Sequence, residues 1–161
     1  MTDIVIQSIT AAAFAPYGDL IDCSGAPDAI INQGLCGRYH DRAQLDMTAG
    51  KAGLSLFRAE PRSLPLALEM MERHPLGSQA FVPMHHVPFL VIVAPDAGGR
   101  PGEPIAFETS AGQAINFYRD VWHGVLTPLH DPGLFAVIDR IGAGDNLQEY
   151  WFEAPYRIVR P

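Results

Sequence analysis

From Leu54 onward the chain is a succession of short apolar stretches, each cut off by turn-forming residues before it can extend into a long helix. The stretches are LSLFRA, LPLALEMMERH, QAFVPM, PFLVIVA, IAFET, AINFYR, LFAVIDR and EYWFEA. Text such as DAGGRPGEP, SAGQ and LHDPG separates them. Runs of this length, rich in β-branched and aromatic residues, read as strands. The most helix-like of them, Leu64 to Met71, still alternates Leu64, Leu66, Leu68 and Met70 with period two, and Pro65 sits badly inside a helix. Many short strands with Gly/Pro turns imply a sandwich or barrel, since a sheet buries its apolar face on another sheet or by closing on itself. Ahead of them, TAAAFAPYGDLID predicts one short helical turn, opened by Thr10 and closed by Pro16 and Gly18. SGAPDAIINQGLCGRYHDRAQLD reads as an arm or loop with short strands.

With 161 residues, 48% of them hydrophobic and 18% charged, the chain is expected to form one domain over residues 1–161. The net charge of −7, with no basic run, argues against nucleic acid as a partner. An anionic substrate therefore needs arginines gathered locally against an unfavourable overall field. Cys23 and Cys36 form no CxxC pair and read as two reduced thiols. The start MTDIVIQSIT lacks a basic n-region, and PFLVIVAP is far below the roughly 18 apolar residues of a membrane span. The expectation is a soluble, cytoplasmic protein with no membrane partner.

The chemistry-bearing groups concentrate in ERHPLGSQAFVPMHHV. On a strand, Leu64, Leu66, Leu68, Met70, Glu72 and His74 share a face. A carboxylate and an imidazole at the end of a leucine stripe imply a strand running from a packed end to a wetter cavity, because buried polar groups need partners. Arg73 would face the other way, into solvent. A hairpin at PLGS would return Gln79 beside His74, adding an amide that can donate and accept. Later, GQAINFYRDVWHGVL supplies His123, which in an antiparallel barrel can meet Glu72 and His74 across the cavity. His85 and His86 fall on opposite faces of a strand and read as incidental; His40 and His130 lie in turn-rich text and read as solvated. FLVIVA reads as core, and Tyr150 to Phe152 as core or a subunit contact.

The spacing Glu72-x-His74-x4-Gln79, followed later by His123, resembles the two metal-binding motifs of the cupin superfamily, with Glu72 in place of a His and Gln79 in place of a Glu. A more specific resemblance runs through FAPYGDLI (Phe14 to Ile21), INQGLCGRYHD (Ile31 to Asp41), ERHPLGSQAFVPM, PFLVIVAP, VWHGVL and IDRIGAGDN (Ile138 to Asn146). In that order and spacing these segments resemble the ureidoglycolate lyase family over nearly the whole chain. MHHV at Met84 to Val87 departs from the small polar turn expected there. The resemblance implies a cupin-type antiparallel β-barrel or jelly roll with a few short helices, a homodimer, and a step of allantoin breakdown that releases urea and glyoxylate. It also implies dependence on a divalent metal, with nickel the suggested ion, and no organic cofactor.

Elimination of urea requires a base for the substrate hydroxyl, an acid for the departing nitrogen and a cation for the carboxylate. Glu72, His74 and His123 are the candidate acid/base set and equally the candidate ligands of a metal. Gln79 is the candidate for substrate oxygens. Arg58 and Arg140 are the preferred carboxylate clamps, with Arg38 and Arg119 as further candidates, because guanidinium suits bidentate carboxylate recognition. The competing readings are another cupin enzyme acting on a small acid, such as an isomerase or dioxygenase, and a non-catalytic cupin that binds one.

Overall fold

The computed structural model describes residues 1–161. The chain opens with β1 (Asp3–Val5), β2 (Gln7–Ser8), α1 (Ala11–Phe14) and β3 (Gly18–Ile21). An excursion follows, made of β4 (Ala29–Ile31), a 3-10 turn over Asn32–Gly34 and β5 (Cys36–Arg38). The body comprises β6 (Lys51–Arg58), β7 (Leu66–Arg73), β8 (Gln79–Pro83), β9 (Phe89–Ala94) and β10 (Ile105–Glu108). It is completed by β11 (Ala114–Phe117), β12 (Trp122–His123), β13 (Thr127–Pro128), β14 (Leu134–Ile141) and β15 (Gln148–Val159).

Two sheets carry the fold. The larger runs β1-β15-β7-β12-β9-β10-β2, with β13 also on β9, and the smaller runs β3-β11-β8-β14-β6. Pairing is antiparallel except where β1 joins β15 and β2 joins β10. The result is the cupin-type antiparallel barrel. Hairpin β4–β5 pairs with neither sheet, in keeping with the arm expected there. The short helix is as expected too: the Thr10 hydroxyl accepts from the Ala13 amide and caps it.

Strand β9 shows how the core is arranged. Phe89, Val91 and Val93 point into a cluster with Phe14, Phe81, Phe107, Ile115, Phe117, Phe135 and Val137, which fills the space between the sheets. Leu90, Ile92 and Ala94 point the other way, into a cluster with Ile4, Leu66, Leu68, Met71, Trp122 and Ile158. A strand buried on both faces needs an unbroken apolar run, and FLVIVA is that run.

Strand β7 departs from the expected single face. Leu66 and Leu68 share their cluster with Met71 rather than Met70, so the alternation slips by one between Leu68 and Met71. The cause lies in its neighbour. Trp151 pairs with Met70 and Tyr156 with Leu68, so Phe152 to Pro155 all face the single residue Glu69 across a bulge. After the slip, Glu72 stands opposite His123, and His123 opposite Val93, in a row that faces the inter-sheet space. Glu72 therefore does not continue the Leu66–Leu68 stripe; it enters the barrel from the other face. Both cysteines are free, as expected.

Phe135 is fully buried and meets Phe89 edge-on at 5.0 Å between ring centroids. Phe135→Ala should destabilise the protein by about 3–5 kcal/mol, read as a fall in the urea unfolding midpoint at unchanged slope.

Candidate active site

Three groups converge where β7 ends and β12 crosses it. Ligand-capable atoms of Glu72, His74 and His123 all lie within 4.8 Å of one another. His74 Nε2 is 4.0 Å from Glu72 Oε1. The two imidazoles are tilted at 39° with centroids 5.2 Å apart. His123 is almost wholly buried and stacks flat on Phe117, 4.3 Å away at 5°. Glu72 and His74 are half-buried, so the set has one interior member and two that reach toward solvent.

The tautomers follow from the hydrogen bonds. His74 Nδ1 lies 2.7 Å from the Asn146 carbonyl oxygen, and His123 Nδ1 lies 3.0 Å from the Gly124 carbonyl oxygen. A carbonyl only accepts, so each Nδ1 carries the proton and each Nε2 presents a bare lone pair. Both Nε2 atoms are buried and unpartnered. Two such atoms beside a carboxylate are the donors that a divalent ion or a transferring proton requires.

The electrostatics push the groups apart. Burial drives the His123 pKa down to about 3, the neighbouring His74 adds to the fall, and the bond to Gly124 opposes it. Burial raises the Glu72 carboxyl above its ordinary value, with His74 opposing and Glu149 reinforcing the rise.

Behind the site, the opposite face of the same two strands carries a second network. The Arg73 guanidinium lies 4.4 Å from the Trp122 ring centroid and pairs with Asp96 at 3.1 Å and Asp120 at 3.2 Å. Trp122 Nε1 donates to Asp96 as well. Arg73 thus points away from Glu72 and His74 as expected, but its side chain is largely covered rather than solvated. It sits between Glu72 and His74 in sequence, and Trp122 directly precedes His123, so this network fixes the register of all three.

Gln79 is buried in the row Phe117–Gln79–Asp139, where its amide donates to Asp139 Oδ2 at 3.3 Å and its Oε1 has no partner. The arginines are dispersed. Arg140 is buried, and its guanidinium donates to the main-chain oxygens of Thr48, Ala49 and Ala143. It alternates with Asp139 on β14, so it lies on the outer face. Arg58 pairs with Leu134 at the far end of β14, roughly 17 Å of strand from Asp139. Arg38 sits on the exposed hairpin and donates to His40 Nδ1 at 2.8 Å. Arg119 lines a cleft of about 660 Å³ together with residues 44–48 and Tyr118, 3.5 Å from Asp46. The next residue, Asp120, donates its amide to the His74 carbonyl. Among the groups that sequence reasoning left without a role are Asn146, Phe117 and the Gly124 carbonyl. Asn146 lies inside IDRIGAGDN, but no spacing rule signals a main-chain acceptor.

Comparison with known proteins settles the family. The ureidoglycolate lyase family model matches residues 1–159. The chain belongs to the ureidoglycolate lyase family. It is 58% identical over 159 residues to the ureidoglycolate lyase of Rhodobacter capsulatus, covering 98% of this chain and 99% of that one. It is 51% identical to ureidoglycolate lyase 2 of Rhizobium meliloti, covering 98% of each chain. With the ureidoglycolate lyase of Chelativorans sp. the identity is 47% over all of this chain and 99% of the other. The family match spans both sheets and every residue of the three-group cluster.

The His123 shift gives a stability prediction for the metal-free protein. Its folded pKa lies below the unfolded one, so the unfolded chain binds the extra proton. His123's share of stability is therefore present above about pH 6.5 and is lost as pH falls toward about 3. Its slope should approach 1.4 kcal/mol per pH unit inside that window. Glu72, shifted upward, acts with the opposite sign above its unfolded value, so the decisive quantity is a difference. His123→Phe should remove the slope when unfolding free energies of both proteins are compared across that range.

Proposed function

We propose that this protein is a ureidoglycolate lyase that eliminates urea from ureidoglycolate and leaves glyoxylate. The observation that carries the reading is the cluster of Glu72, His74 and His123 with both Nε2 atoms bare, in a chain of this family. The donor set fits a divalent ion: Glu72, His74 Nε2 and His123 Nε2 would hold it, and it would supply Lewis acidity toward the hydroxyl and carboxylate oxygens of the substrate. Nickel is the ion suggested by the family resemblance.

The residues themselves supply the rest. His74 is the less buried imidazole, and its bare Nε2 is assigned to take the hydroxyl proton. The O–H electron pair becomes the new carbonyl bond of glyoxylate as the carbon–nitrogen bond breaks. The proton then passes to the departing nitrogen, giving urea. Glu72, 4.0 Å from His74 Nε2, stabilises the imidazolium that forms, and His123 offers its bare Nε2 at the same point as the second imidazole of the acid/base set. Gln79, with its unpartnered Oε1, is assigned to a donor group of the substrate, such as a ureido N–H. Of the arginines, Arg119 is assigned to the substrate carboxylate, because it lines the cleft beside the segment bonded to His74.

We further infer a homodimer in the cytoplasm. Strand β6 is an open sheet edge, and Leu54 and Leu56 on it are 72% and 65% exposed, an apolar surface that a second copy would cover. Both thiols are free, as a reducing compartment keeps them.

The test is a urea-release assay on racemic ureidoglycolate, before and after exhaustive chelation. His74→Ala and His123→Ala should each lower turnover by roughly 10²–10⁴-fold. Near-normal rates in both would remove the assignment. Activity lost on chelation and restored by nickel would give the cluster its role as ligands; activity that resists chelation would give it the proton-transfer role alone.

A further inference from the structure

The loop between β14 and β15 is exposed from Ile141 to Glu149 except at one residue, Asn146, which is half-buried. Asn146 holds two points of the chain beside the site, His74 and Leu76, on either side of Pro75. Its main-chain oxygen accepts from His74 Nδ1 at 2.7 Å. Its side-chain Oδ1 accepts from the Leu76 amide, also at 2.7 Å. One residue therefore grips the His74 ring with its backbone and the following turn with its side chain.

We propose that Asn146 is a positioning residue: its side chain pins the His74–Pro75–Leu76 turn so that its own carbonyl holds the His74 imidazole with Nε2 bare toward Glu72 and His123. The main-chain oxygen alone cannot do this. A carbonyl in an exposed loop is placed only as well as the loop is placed, and a histidine on a strand end can turn about its side-chain bonds. The Oδ1 bond closes a small ring of contacts, Leu76 to Asn146 to His74, that removes both freedoms together. Orienting partners of this kind, one step removed from the reacting groups, commonly change affinity or activity by roughly 10–100-fold when lost.

The surrounding loop is built to deliver Asn146 to this point. Gly144 has φ of +96°, a conformation that favours glycine, and a Cβ there would stand 2.9 Å from Leu76 Cδ1. The loop thus lies directly on the residue whose amide Asn146 engages. Upstream, Arg140 ties the Ala143 carbonyl to those of Thr48 and Ala49, anchoring the loop at its start. Arg140 and Asn146 together bracket the segment from both ends.

The effect on turnover rests on the function proposed above; the state of the His74 ring does not. The metal-free protein, labelled with ¹⁵N in its histidine rings, is observed at about pH 8, where ordinary imidazoles are neutral. In the native chain, His74 should show one protonated and one bare ring nitrogen, with Nδ1 the protonated one. Asn146→Ala, and Asn146→Leu as a second variant of nearly native volume, should move both His74 signals toward the averaged values of a free imidazole while His123 keeps its own. Asn146→Asp retains an oxygen acceptor for the Leu76 amide and should restore the native His74 signals. With ureidoglycolate, the two deletion variants should lose roughly 10–100-fold in kcat at little change in KM, and the Asp variant should recover most of it. Native His74 signals in the deletion variants, or failure of the Asp variant to restore them, overturns the proposal. A protein inactive on ureidoglycolate that still shows the ring changes would refute the activity and leave the positioning role standing.

Discussion

The pairing of Glu72 with His123 across the seam between β7 and β12 depends on a one-residue change of phase in β7, and the site depends on that pairing. Before the bulge, β7 sends Leu66 and Leu68 into the cluster that contains Ile92 and Trp122. After it, Met71 takes over that face and Glu72 turns into the inter-sheet space beside His123. The bulge resides in β15, where the extra residues are accommodated opposite Glu69. A strand of the same sequence paired to an unbulged neighbour would send Glu72 to the face that carries Trp122. Bulges beside active sites redirect side chains in this way.

The cost of the arrangement is visible in what surrounds it. An imidazole as buried as His123 cannot hold a charge easily, and two bare Nε2 atoms away from water forgo hydrogen bonds they would make outside. The chain offsets this with groups that demand nothing from the reacting side: main-chain carbonyls take both Nδ1 protons, and the Phe117 ring covers one face of His123. The charges that fix the strands are kept on the reverse face, where Arg73 sits between Asp96 and Asp120 over Trp122. Separating the two networks matters in a chain of net charge −7, since a carboxylate pair beside Glu72 would oppose any anionic substrate.

Much of the fold was legible in the sequence because the long strands carry long patterns. β9 is an unbroken apolar run, and β14 alternates Phe135 and Val137 inward with Ala136 and Ile138 outward. The two-residue strands β2, β12 and β13 were not legible, since so short a segment has no period. The proximity of Glu72, His74 and His123 could be anticipated from their spacing and from the family resemblance. The face of Glu72 could not be read correctly, because the phase of β7 is set by residues in β15 that are remote in sequence. The arginines show the same limit. Arg140 ends a clear strand pattern, yet nothing in that pattern tells that three carbonyl oxygens from two loops accept from its Nε and Nη2, leaving Nη1 without a partner.

That occupancy explains a group of glycines that composition alone leaves unexplained. A Cβ on Gly50 would lie 2.8 Å from Arg140 Nε, one on Gly77 2.6 Å from Arg140 Cβ, and one on Gly142 2.8 Å from Arg140 Nη2. The three glycines come from three different turns, and the Arg140 side chain runs between them. Gly77 belongs to the turn that follows His74, Gly142 to the loop that carries Asn146, and Gly50 to the turn whose carbonyls Arg140 binds. Packing one long cation through three turns, each with a glycine at the contact, fixes their separations more tightly than loop contacts alone would. The inner groups of the site are carried by strands, but the orientation of His74 is set by loops, and loops hold an orientation only when something rigid joins them. Arg140 is that join, which makes its burial on the outer face a contribution to the site rather than a distraction from it.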